Sequence, residues 1–375
     1  MINVTLKHWL LLFSLAGALA GGLAGCSPPE PIRLGFIGGI SGRVADLGIG
    51  GRNGVALAIE MRNKSGGVNG RPVELIVEDD KQDPEIAKRA VGRLIAQKVH
   101  AIIGPMTSTM AMAALPLINE ARITTISPTV SSAKLSALDD FFLRVITPTT
   151  EYARKGAEYH FKTQGQRRVA AAYDLRNKDY TETWLADYGK AFSALGGEIV
   201  TAEPYESGDH MDFAQLAERL LKPAPDAVLI IANSVDTAML AQQLRKRNPH
   251  VLITTSEWAA TERLTELGGR AVEGMAIAQF LDRDSRQPAY VAFRNAYVER
   301  FALEPGFAGI TGFDAANVAL DALAEQKAGQ SLKQTILERR VFAGAQSEIR
   351  FDPYGDAVRE TYMTIIRNGT FVRVY

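Results

Sequence analysis

Short apolar runs alternate along this chain with longer segments whose apolar positions recur at helical spacing. Ile32–Ile37 reads as a strand. Gly48–Asn63 reads as a helix, with Val55, Leu57, Ala58, Ile59 and Met61 on its apolar face. Pro72–Val77 is a second strand. Asp83 and Pro84 then supply an N-cap and a first helical position for a helix to Gln97. His100–Ile103, a helix at Ser108–Ala121 and Ile123–Ile126 continue the alternation. Such alternation predicts a parallel sheet wrapped by helices on both faces.

The pattern recurs further on. Strands are expected at Arg168–Tyr173, Glu198–Pro204, Ala227–Ile231 and Val251–Thr255. Helices are expected at Thr181–Leu195, Phe213–Leu221 and Thr237–Arg247. The two units are architectural duplicates without a sequence repeat. The tail changes character: helices at Arg286–Phe301, Ile310–Ala328 and Leu332–Glu338 precede strands at 347–351, 361–367 and 370–374. Asn368-Gly369 supplies a hairpin turn. Three helices exceed what one sheet edge needs, so the chain is expected to return to the first unit near Gln279 and cross again near Asp352. The expected fold is α/β: two doubly wound, Rossmann-like lobes joined by several crossings, which make a hinge. The expected lobes are 32–148 plus 280–352 and 149–279 plus 353–375.

Length agrees with two domains: the chain has 375 residues. It carries 42 Lys and Arg against 42 Asp and Glu. That balance argues against a nucleic-acid partner, which needs a basic face. The single cysteine excludes a disulfide scaffold and any multi-cysteine metal centre. No metal or other cofactor is expected.

Residues 1–25 read as a leader. Lys7 and His8 precede 17 uncharged residues, Trp9 to Gly25. Leu23-Ala24-Gly25-Cys26 resembles a bacterial lipoprotein lipobox, which implies lipidation of Cys26 and cleavage before it. Acyl chains would then hold an exported domain at a membrane surface without a spanning helix. Residues 26–31, rich in proline, read as a tether.

Ligands of open α/β sheets bind beyond the carboxyl ends of the strands. Strand three is followed by Gly104-Pro105-Met106-Thr107-Ser108-Thr109 and a helix start, an arrangement suited to a carboxylate. Plain N-capping by Thr107 or Ser108 is the competing reading. Ser127-Pro128-Thr129-Val130-Ser131-Ser132 follows strand four and should lie alongside. In the second unit, Tyr180 stands at a helix start, where it could close over a ligand. Glu257 and Trp258 follow a strand end, where an acid could pair with an ammonium and an indole could wall it. A surface tyrosine and a solvated loop carboxylate are the plain alternatives.

Together these segments resemble the leucine/isoleucine/valine-binding protein family, the type I periplasmic binding proteins of branched-chain amino-acid ABC transporters. The likeness spans nearly all of residues 32–375. It rests on Ile32–Gly42, Gly66-Gly67-Val68-Asn69-Gly70-Arg71, Glu78–Pro84, Ile126-Ser127-Pro128 and Phe313-Asp314-Ala315. The resemblance implies a type I fold and an amino acid held by Ser108, Thr109, Thr129 and Ser131, with Tyr180 closing from the second lobe and Glu257 receiving the ammonium. Met106, Asn233 and Trp258 are further candidates. It also implies delivery to an ABC transporter permease and ATPase. Departures are Thr181 after the site tyrosine, Leu47 where an aromatic is common, and Arg43 near the cleft mouth, which has no counterpart in the family pattern. A signalling receptor subunit, or a binder of a carboxylate or amide without an amine, would use the same fold.

Enzyme readings have less to stand on. The glycines after strand one do not form G-x-G-x-x-G, and neither G-x-S-x-G nor H-E-x-x-H occurs.

Overall fold

The structure is a computed structural model that describes residues 29–374. The leader and Cys26 lie outside the described residues.

The first sheet contains β1 (Ile32–Gly38), β2 (Val73–Asp79), β3 (Ala101–Ile103), β4 (Thr125–Ser127) and β5 (Phe142–Arg144), all parallel. Its strand order is β2-β1-β3-β4-β5. Helices α1 (Ala45–Lys64), α2 (Pro84–Ala96) and α3 (Ser108–Ala121) connect the first four strands. Asp83 caps α2 as its position before Pro84 predicts, accepting from the backbone N–H groups of Glu85 and Ile86.

A helix, α4 (Thr149–Lys162), leads into the second sheet. That sheet begins with β6 (Arg168–Asp174). It continues through α5 (Lys178–Ala194), β7 (Glu198–Tyr205), α6 (Phe213–Leu221), β8 (Ala227–Ile231), α7 (Ser234–Arg247) and β9 (Leu252–Thr255). Then come α8 (Glu262–Gly268) and β10 (Ala276–Gln279). Its parallel part runs β10-β9-β8-β6-β7, the same winding as the first sheet. In both, order reverses beside the first strand, which opens a crevice at the strand carboxyl ends. The two crevices face each other.

After β10 the chain forms α9 (Pro288–Phe301), α10 (Gly306–Glu325) and α11 (Leu332–Arg339), then the small β11 (Val341–Phe342) and β12 (Ile349–Arg350) pair. Helix α10 packs backbone to backbone against α1 of the first lobe. A Cβ at Gly54 would sit 2.0 Å from the Gly309 carbonyl oxygen, and one at Gly312 would sit 2.3 Å from that of Gly51. Only glycine permits this approach. The chain then returns to add β13 (Tyr362–Arg367) antiparallel to β10, followed by β14 (Thr370–Arg373). Asn368 and Gly369 join them with φ of 51° and 71°, the left-handed pair that the turn demands.

Three segments cross between the sheets, and one buried group ties two of them to α10. Arg359 donates from Nε to the Val145 carbonyl oxygen (2.6 Å) and from Nη2 to Asp314 Oδ2 (2.6 Å). Its backbone N–H donates to Thr147 Oγ1 (2.7 Å). Asp314 also accepts from the Ala345 N–H (2.7 Å). Both members of this ion pair are 1% exposed at the side chain.

Five elements lie outside the expected pattern: α4, β5, α8, β10 and β11. Helix α4 buries Tyr152, Ala153, Gly156, Ala157 and His160, so it has no aliphatic stripe to announce it. Strand β5 is three residues long and ends in Arg144, buried against Asp356 (2.5 Å). Expected boundaries elsewhere differ by a few residues, the usual fraying of element ends. Among the described residues, no helix is long and apolar enough to cross a membrane.

Candidate functional site

The loops after β3 and β4 lie side by side. Ser127 Oγ donates to the Pro105 carbonyl oxygen (2.8 Å), and Thr129 Oγ1 to that of Met106 (2.5 Å). These bonds hold two hydroxyl-bearing loops against the start of α3. The Thr107 N-cap makes no side-chain capping bond. The N–H of Thr109, in the first turn, instead donates to Asn177 Oδ1 of the second lobe (3.1 Å). An oxygen from across the cleft thus caps this helix, which shows that its positive end faces the cleft.

Between the lobes lies a small cavity, nearly filled by its own walls. The first lobe contributes Leu47, Met106, Thr107, Ser108, Thr129 and Ser131. The second contributes Asn177, Tyr180, Glu257 and Trp258; Ile146 enters from a crossing segment and Phe307 from α10. Its polar lining includes hydroxyls from the first lobe and one carboxylate, Glu257, from the second, with Ser131 Oγ 3.5 Å from Glu257 Oε1. Apolar side chains fill the walls between. Tyr180 and Trp258 meet edge to face, ring centres 5.6 Å apart.

Glu257 is buried, and its carboxylate has neutral partners. Trp184 donates to Oε2 from its indole N–H (2.9 Å), and Ser131 Oγ lies 3.5 Å from Oε1. Burial pushes its carboxyl up to about 7, against the pull of those hydrogen bonds. The Tyr180 hydroxyl is buried beside Glu257 and Ser256. Burial and the neighbouring Glu257 charge push it well above the usual tyrosine range.

Seven of the nine cleft residues expected from sequence line this cavity: Met106, Ser108, Thr129, Ser131, Tyr180, Glu257 and Trp258. Two do not line it. Thr109 Oγ1 is 3.1 Å from Asp179 Oδ2 and accepts from the Asp179 N–H (3.1 Å), which makes it an interlobe clasp. Asn233 caps α7 through the Asp236 N–H (3.0 Å). Asn177, Ile146 and Phe307 line the cavity without having been singled out in the sequence. Asn177 was within reach, since it lies three residues before Tyr180 in the same loop.

A rim of interlobe contacts closes the cleft. Arg43 donates from Nη1 to Asp236 Oδ1 (2.8 Å) and from Nη2 to Asp209 Oδ1 (3.1 Å). Asp46 Oδ2 accepts from Ser234 Oγ (2.5 Å) and Thr261 Oγ1 (2.6 Å). Lys134 Nζ donates to Asp179 Oδ1 (2.8 Å). The described residues contain no cluster of three or more histidine, cysteine or acidic side chains placed to hold a metal.

Two doubly wound lobes closed on a small interlobe cavity are the architecture of a two-lobed solute-binding protein. The chain belongs to the periplasmic binding protein family, whose pattern matches residues 31–370. It is 26% identical to Leu/Ile/Val-binding protein homolog 3 of Brucella melitensis, over 74% of this chain and 75% of that one. Its fold is similar to that of a leucine-binding protein from Thermotoga maritima. The TM-score is 0.82 at 25% identity, covering 92% of this chain and 98% of the other. A solute-binding protein of an ABC transporter from R. palustris, solved with benzoate, superposes with a TM-score of 0.83 at 19% identity, covering 92% and 96%.

Proposed function

We propose that this chain captures a free amino acid with an apolar side chain between lobes 32–148 plus 280–352 and 149–279 plus 353–375. Glu257 carries the reading. It is a buried carboxylate, facing a cavity, whose hydrogen-bond partners are neutral. A buried charge is costly until it is paired. A ligand ammonium supplies the missing cation. The first-lobe hydroxyls of Ser108 and Thr129, with the α3 N-terminus, suit the ligand carboxylate, and Ser131 stands between them and Glu257. The walls at Leu47, Met106, Ile146 and Phe307 suit an aliphatic side chain.

In this reading the first lobe holds the carboxylate, and the second swings in with Tyr180 and Glu257. The ligand favours closure by its extra affinity for the closed form. The closed form is then delivered to an ABC transporter permease and ATPase. Export accords with the periplasmic binding protein family, and anchoring through Cys26 completes the proposal. A receptor subunit of a signalling system would use the same capture step.

One observation favours a second reading. The structural neighbour that holds benzoate shares the fold, and Tyr180 with Trp258 offers an aromatic wall. An aromatic carboxylate would leave Glu257 protonated. A thermal-shift screen of protein refolded to remove ligand separates the two. Amino acids raising Tm, with benzoates silent, supports the first reading, since stabilisation follows RT ln(1 + [L]/Kd). Benzoates alone raising Tm would replace it.

A further inference from the structure

Trp184 does not line the cavity, yet its indole N–H ends on the carboxylate that does. It lies one turn after Tyr180 on α5 and is 1% exposed. Its ring stacks on Tyr188 (centres 5.5 Å, planes 14° apart), and Tyr188 stacks on Phe192 (5.2 Å, 20°). The stack is fixed at its far side. Tyr188 OH is 3.0 Å from His160 Nδ1, and His160 Nε2 is 2.6 Å from Thr254 Oγ1. Thr254 Oγ1 donates to the Ala276 carbonyl oxygen (2.8 Å), so it accepts from His160 Nε2–H. His160 Nδ1 then accepts from Tyr188. Burial holds His160 neutral, which this pattern requires.

Every member of that chain belongs to the second lobe, and Thr254 and Glu257 share β9 and the turn after it. The first-lobe contact to Glu257, from Ser131, is the longer one at 3.5 Å. The arrangement around Glu257 therefore does not need the first lobe.

We infer that Trp184 is a positioning residue: its indole N–H holds Glu257 Oε2, so that Oε1 is presented to the ligand ammonium before the lobes close. This inference rests on the amino-acid reading above. An indole N–H donates and cannot accept, so it favours the ionised carboxylate. The locked stack keeps it from turning away. The titratable groups facing Glu257 are Tyr180 from α5 and Tyr152 from α4, both pushed up by burial and by Glu257 itself. Arg359 stands beyond Tyr152 and is paired with Asp314.

The test compares wild type with Trp184→Phe, which keeps a ring on Tyr188 and removes the donor. Affinity for leucine and for its deamino analogue 4-methylpentanoate is measured against pH. Carboxyl ¹³C NMR follows Glu257 in ligand-free protein. Trp184→Phe should bind leucine about 10- to 100-fold more weakly near neutral pH and recover as pH rises. The Glu257 midpoint should move up, and Glu257→Gln should remove the effect of Trp184→Phe. Unchanged leucine affinity and pH profile would overturn the inference. A second measurement needs no change at Trp184. The chain has three tryptophans, and Trp258→Phe helps assign the Trp184 indole N–H resonance. That resonance should follow the Glu257 titration; failure to do so would overturn the inference. If wild type binds 4-methylpentanoate as tightly as leucine, the ammonium reading fails, while the NMR titrations still decide the Trp184–Glu257 coupling.

Discussion

Asp314 and Glu257 are both buried carboxylates, and they sit in opposite circumstances. Asp314 lies at the crossing between lobes and meets its own cation, Arg359, at 2.6 Å, along with a backbone N–H. Burial pushes Asp314 up, and Arg359 counters it. Glu257 faces the cavity with indole and hydroxyl donors and no cation among them. The first site is complete within the chain. The second has no cation among its hydrogen-bond partners, and the proposed ligand ammonium would complete it. A buried acid with its own guanidinium is a structural tie, and one with neutral donors at a cavity wall awaits a cationic partner. Burial alone does not make the distinction. Asp80 and Asp174 are also pushed up to about 7 by burial, yet neither lines the cavity. Asp80 accepts from Gln82 N, and Asp174 from Arg176 N and Ser207 N.

The comparison breaks most readily at the hinge. Asp314→Asn leaves a buried guanidinium without its counter-charge and should destabilise the protein by about 3–5 kcal/mol. Chemical denaturation measures it. The paired change Asp314→Leu with Arg359→Met should recover much of that loss, because apolar groups need no partner. Glu257→Gln should do the reverse. Its expected cost is about 2–5 kcal/mol of amino-acid affinity by calorimetry, with stability held or improved, since an unpaired buried charge is gone.

Acid–base behaviour sharpens the contrast. Glu257, Asp80 and Asp174 have folded-state values near 7, above those of an unfolded chain near 4. The folded state then holds more protons between those values. These groups stabilise the fold at low pH, and that contribution is lost as pH rises through about 7. Ligand-free protein should therefore melt lower at about pH 8 than at about pH 5, and an amino acid should narrow the gap by pairing Glu257. A gap unchanged by saturating ligand would separate Glu257 from the ammonium. The smallest effect is expected at the rim. Arg43→Ala removes the contact with Asp236 that exists in the closed form and should weaken every ligand alike, by about tenfold, through faster release.

Much of this was legible in the chain, for identifiable reasons. Ser108, Ser131 and Glu257 follow strand carboxyl ends, where alternation alone directs attention. Their neighbours depend on how the lobes meet. Ile146 and Phe307 reach the cavity from a crossing and from a returning helix, and strand–helix alternation carries no record of that approach. Thr109 misses the cavity wall because helix starts present successive side chains in different directions, and Asn233 turns its side chain to cap its own helix. Helix α4 was hidden by its buried tyrosines, alanines and glycine, and β5 by a buried arginine whose partner lies far along the chain. The Trp184–Glu257 bond joins residues 73 positions apart and needed coordinates.

The central claim is that Glu257 awaits an ammonium. Calorimetric titration of ligand-stripped protein with leucine and with 4-methylpentanoate, identical but for the amine, tests it most directly. The account predicts that leucine binds and that its deamino analogue binds at least about 30-fold more weakly. Equal affinities would contradict it and make the Ser108 end, without Glu257, the whole of the recognition.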